Sequence, residues 1–310
     1  MQKQPDLSTE LFGCTLKNPT ILASGILGTT RDLLKTASQN GAGAVTIKSV
    51  SEEPREGHPN PTVLAFGPGL INAVGYSNPG IDNAAREFTD LNELDCPVIG
   101  SLIGTSVEEF AYVASRMNKL EFAALEVPLS CPHTPGYGKL GNQDNPEEVF
   151  QIVSTICSNT SKPLFVKLPP VASSDNIVEM ALAAKDAGAY GLTASNTIGP
   201  GMLIDIDSGK PYLGFRIGGI SGPALKPLAI ATVYQLFEAV DMPIIGTGGV
   251  SSGRDAIEMI MAGATAVGIG TSVVWRGMSA FKDIAEEMAE ILIARGVTSL
   301  AEIRGLAHNE

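Results

Sequence analysis

Cys131 stands between Ser130 and Pro132, two residues before His133, where an apolar run that starts at Ala123 stops. Pro132, Pro135, Gly136 and Gly138 forbid regular structure after it, so the thiol heads a loop at the tip of a strand. A cysteine so placed can act as nucleophile or base once it is thiolate. Most free cysteines are small buried hydrophobes instead, and Cys14, Cys96 and Cys157 are read that way. Two lysines, Lys48 and Lys167, stand in or at the ends of other apolar runs. An unpaired buried ammonium is costly, so each either meets a carboxylate or serves a site. Schiff-base chemistry and support of negative charge on a bound group are both open to them.

Late in the chain, residues 246–253 (GTGGVSSG) and 268–272 (GIGTS) are glycine-rich, and residues 218–222 (GGISG) form a third such stretch. Small residues let backbone N–H groups and a helix N-terminus face an anion, which points to a phosphate-bearing ligand met by dipoles rather than by cations.

These residues need a scaffold that brings them together. Apolar runs at 20–24, 44–47, 97–102, 123–129, 163–168, 191–194, 243–249 and 266–271 read as strands. Helical segments are expected at 32–39, 107–119, 146–158, 176–187, 226–240, 254–262 and 280–295. Eight alternating units predict a single (β/α)8 TIM barrel domain over residues 1–310. Residues 51–69, running on to 80, and 198–223 are Gly/Pro-rich and too long for ordinary βα loops, so they read as insertions at the C-terminal face. Residues 72–80 are poor strand or helix material and suit backbone held against a bound molecule or a plain surface hairpin.

The chain of 310 residues has a net charge of −12, which argues against nucleic acid or an anionic membrane surface as partner. Its four cysteines show no CxxC or iron-sulfur spacing, and a reducing cytoplasm fits them. No signal peptide is legible, and no apolar run approaches the roughly 20 residues of a membrane span.

Taken in order, Lys48-Ser49, residues 72–75 (NAVG) with 78–80 (NPG), Ser130-Cys131-Pro132, residues 166–168 (VKL), residues 195–197 (SNT), residues 218–224 (GGISGPA), Gly248-Gly249 and Gly270-Thr271 resemble dihydroorotate dehydrogenase along nearly the whole chain. The resemblance implies FMN bound across the C-terminal face of the barrel. It puts Ala23, Ser24, Gly25, Lys48, Ser49, Lys167, Gly222, Gly248, Gly249, Gly270 and Thr271 at flavin-contacting positions, the last five around the phosphate. Asn72, Gly75, Tyr76, Asn196 and Thr197 fall where the pyrimidine is held, and Lys48 where negative charge on the reduced ring is supported. Cys131 becomes the base that removes the C5 proton of dihydroorotate while a hydride leaves C6.

Cysteine rather than serine as base resembles the soluble class, and residues 220–227 (ISGPALKP) resemble its NAD-linked type. That type implies a homodimeric core and a partner subunit carrying FAD and an iron-sulfur cluster; a fumarate-reducing type is the alternative. Two residues depart from the family, which has Asn where this chain has Pro128 and again where it has His133. Ser-Cys-Pro-His resembles the pyrimidine-reducing domain of dihydropyrimidine dehydrogenase, which itself keeps the first asparagine, and another dihydropyrimidine or cyclic amide is an alternative substrate. A Schiff-base aldolase using Lys48 or Lys167 and a non-catalytic flavin-binding subunit are the more distant readings.

Overall fold

The computed structural model describes residues 4–129, 145–170 and 176–309. Eight parallel strands close into a barrel: β1 (Thr20–Leu22), β2 (Ala44–Thr46), β3 (Val98–Ser101), β4 (Ala124–Pro128), β5 (Leu164–Leu168), β6 (Gly191–Ala194), β7 (Ile244–Thr247) and β8 (Ala266–Ile269). Each pairs with its neighbour in sequence, and β8 closes on β1 through Gly268 opposite Ile21. The fold is a (β/α)8 TIM barrel.

Alternation along each strand sorts the side chains into two cores. Outward residues such as Leu22, Val45, Leu125, Val166, Leu192 and Val267 pack under the helices. Inward residues Ile21, Ala44, Ile99, Ala124, Phe165, Ile245 and Ala266 form an apolar floor. An N-terminal hairpin, Thr9–Leu11 with Cys14–Leu16, plugs that floor from below with Leu11, Phe12 and Leu16. Phe12 meets Phe165 edge-on, with centroids 6.1 Å apart.

Helix starts follow local chemistry. Thr30, Ser106 and Ser252 accept hydrogen bonds from the backbone N–H of Leu33, Glu109 and Asp255, and Asn145 caps the helix Pro146–Asn159, whose first residue is proline. Burial pushes the thiols of Cys96 and Cys157 above the ordinary range, in keeping with their reading as packing residues.

The insertions differ from the irregular stretches expected. Val63–Phe66, Gly69–Asn72, Gly218–Ser221 and Ile198–Gly201 form one antiparallel sheet in that order, which joins the two insertions. Neither segment shows this in sequence because its partner lies far along the chain: Asn72 Nδ2 donates to Gly219 O at 3.2 Å across 147 residues. Among the described residues, no helix is long and apolar enough to cross a membrane.

Candidate active site

A cavity opens at the C-terminal ends of the barrel strands, between them and the antiparallel sheet. All sixteen described residues singled out from the sequence line it, from Ala23, Ser24 and Gly25 after β1 to Gly270 and Thr271 after β8. Convergence follows from topology, because every loop after a parallel barrel strand emerges on the same face.

Near the ends of β1 to β3, hydroxyls interlock. Ser24 Oγ donates to Ile47 O at 2.9 Å, and the hydroxyls of Ser49 and Ser101 lie 2.8 Å apart. Lys48 reaches the cavity beside them, with Nζ 5.5 Å from the centre of the Tyr76 ring. The segment after Asn72 is held by Asn78, which is buried rather than facing the cavity. Its side chain accepts from Ser51 N at 3.2 Å and Gly80 N at 3.0 Å and donates to Tyr76 O at 2.8 Å. Gly75, at φ +72°, packs so closely on His58 that a Cβ would lie 2.7 Å from that ring.

At the glycine-rich end the backbone packs so closely on its neighbours that side chains would collide with them. A Cβ on Gly248 would lie 2.7 Å from Ala229 Cβ, and one on Gly249 would lie 2.6 Å from Lys226 Cβ. Both have positive φ, as does Gly222 at +86°. Thr271 Oγ1 donates to Ser221 Oγ at 2.8 Å, and Ser272 Oγ is buried with no hydrogen-bond partner among the described residues. An open backbone lining, hydroxyl donors and an unsatisfied buried hydroxyl fit the phosphate of a flavin nucleotide.

Across the cavity floor, Lys167 meets a carboxylate. Glu126 on β4 lies 4.0 Å from Lys167 Nζ through Oε1, while its Oε2 accepts from Thr193 Oγ1 at 2.8 Å. Lys167 is thus both paired and part of the cavity wall. Sequence reading missed Glu126, although a lone acid inside an apolar strand, one residue out of phase with its apolar neighbours Leu125 and Val127, was the available signal. It placed Ser221 and Ser272 inside glycine-rich stretches without naming a role for either, and it missed Trp275; all three line the glycine-rich end, where Trp275 stands 3.1 Å from where a Gly222 Cβ would be.

Cys131 and His133 lie outside the described residues. The strand that leads to them is described: Pro128 lines the cavity, and Leu129 N donates to Lys167 O at 3.0 Å.

Comparison with known proteins adds four findings. The dihydroorotate dehydrogenase family model matches residues 6–292. The catalytic subunit of dihydroorotate dehydrogenase B (NAD(+)) from Pyrococcus horikoshii is 43% identical over 301 residues, covering 97% of each chain. Its namesake from Methanocaldococcus jannaschii is 44% identical over 306 residues, covering 97% of this chain and 98% of that one. In fold, the chain is similar to a DHODH from Eimeria tenella solved in complex with ferulenol, with TM-score 0.82, 23% identity, and coverage of 98% of this chain and 89% of that one.

Proposed function

The chain belongs to the dihydroorotate dehydrogenase family, and on that premise we propose that it oxidises dihydroorotate to orotate in pyrimidine biosynthesis, with FMN as its flavin. The observation that carries the reading is the cavity in which a glycine cradle, two lysines and the side chains of Asn72, Asn196 and Thr197 converge. Gly222, Gly248, Gly249, Gly270 and Thr271 hold the phosphate. Ala23, Ser24, Gly25, Lys48, Ser49 and Lys167 hold the ring system, and Lys48 supports its negative charge after reduction. Bound there, FMN supplies the acceptor for the hydride that leaves C6.

Asn72, Gly75, Tyr76, Asn196 and Thr197 hold and orient the substrate ring. Cys131, as thiolate, takes the proton from C5, and the roofing sheet keeps bulk water away from that transfer. The cysteines of this chain have no iron-sulfur spacing, and the relatives are named as catalytic subunits, which supports a partner subunit carrying FAD and an iron-sulfur cluster. A homodimeric core in the cytoplasm completes the proposal.

One observation favours a second substrate class. Pro128 lines the cavity where the family resemblance calls for asparagine, and proline offers no side-chain amide to a substrate. Another dihydropyrimidine would then be the substrate on the same flavin. The test is an anaerobic titration of the purified chain followed at the flavin band. Bleaching by dihydroorotate but not by dihydrouracil supports the first reading, and the reverse supports the second. A protein that holds no flavin overturns both.

A further inference from the structure

Glu126 and Lys167 are the charged side chains buried on barrel strands among the described residues, at 4% and 6% exposure. Directly below them the barrel is apolar: Ala124 and Phe165, two positions earlier on the same strands, belong to the floor. Neither charge can turn downward, so both are directed to the cavity they line. Thr193 Oγ1 holds one carboxylate oxygen at 2.8 Å. The other, Oε1, stands 4.0 Å from the ammonium and is buried with no hydrogen-bond partner among the described residues. That distance is an ion pair but too long for a hydrogen bond.

An ion pair stripped of water adds little stability over an apolar pair of the same volume, so stability alone does not account for it. What the pair does is present to the cavity an ammonium whose charge is partly offset and whose position is fixed. We propose that Glu126 is a positioning residue that anchors Lys167 and, by its negative charge, holds down the electron affinity of the bound flavin. The inference rests on the flavin reading above. A flavin gains negative charge on reduction, so an unopposed Lys167 would favour the reduced form, and Glu126 tempers it. The pair sets how readily electrons are held, and so how readily they move on.

The test is a redox titration of the flavin-loaded protein against a reference dye, with the dye as two-electron donor. Glu126→Gln should shift the reduced-to-oxidised ratio at fixed potential at least tenfold toward reduced, about 30 mV for a two-electron couple. Glu126→Asp, which keeps the charge, should stay within about threefold of wild type. Lys167→Met should shift the ratio the other way, and adding Glu126→Gln to it should reverse that shift, which keeps the test decisive if Glu126→Gln alone does not fold. Flavin-loaded Glu126→Gln titrating with wild type, or a double variant identical to Lys167→Met, overturns the inference alone. Wild-type protein without flavin overturns the flavin reading with it.

Discussion

Lys226 Nζ donates to Asp255 Oδ1 at 2.7 Å, and that carboxylate organises the loop at the glycine-rich end of the cavity. Its Oδ2 accepts from Ser251 N at 3.0 Å, Ser251 Oγ at 2.8 Å and Ser252 Oγ at 2.9 Å. The loop's shape therefore depends on an acid in the first turn of the following helix. Arg276 ties the same loop from the other side, donating to Ser251 O at 2.7 Å.

Asp255→Asn should cost about 2 kcal/mol, the scale of hydrogen bonds to a charged group, and should weaken flavin retention. Burial opposes ionisation of Asp255, but hydrogen bonds from Lys226, Ser251 and Ser252 outweigh it and hold the carboxyl below its usual range. A depressed folded value means the contribution is complete above the unfolded value of about 3.9 and is lost as pH falls through the folded one. Urea denaturation should show the gap between variant and wild type at pH 7 and its closure in strong acid.

Gly249→Ala combines strain with collision. The residue has φ +74°, and its new Cβ would lie 2.7 Å from Lys226 N, a backbone atom that cannot swing away. A non-glycine residue held in such a region costs about 1 to 3 kcal/mol, and equilibrium dialysis should find FMN bound at least tenfold more weakly. Gly277→Ala is the control: φ is +71° with nothing within 4 Å of the new Cβ. It should lose stability and keep its flavin.

Lys48→Ala should slow flavin reduction by substrate more than it weakens flavin binding. Stopped-flow reduction and a binding titration on the same preparation separate the two effects. Loss of binding with unchanged reduction would make Lys48 a structural contact only.

Cys131→Ser should retain flavin and be reduced by dihydroorotate about 100-fold more slowly near neutral pH, within the range spanned by a lost general base. Rates equal to wild type at every pH would remove Cys131 from that role.

Phe165→Ala tests the barrel floor. The ring is fully buried between Phe12 and Tyr190, with centroids 6.1 and 5.5 Å away. Its loss should cost about 3 to 5 kcal/mol, read as a lower melting temperature.

The barrel strands were legible because each is a short apolar run bounded by glycine or proline, and observed ends such as Gly191–Ala194 and Leu164–Leu168 fall within a residue of those expected. The lysines and glycines of the cavity were legible for a related reason: each breaks the pattern of its strand or loop. The roofing sheet was not, because Gly218–Ser221 carries two glycines and finds its hydrogen bonds on Gly69–Asn72, a pairing no local window contains. The N-terminal hairpin was missed because three-residue strands such as Thr9–Leu11 are too short for alternation to register. Glu126 was passed over because the acid and its lysine partner sit on neighbouring strands and only the closed barrel makes them face each other.

The plugged floor has a consequence for traffic. With Leu11, Phe12 and Leu16 packed against the barrel floor from below, exchange with the cavity is directed to the C-terminal face of the barrel rather than through its base.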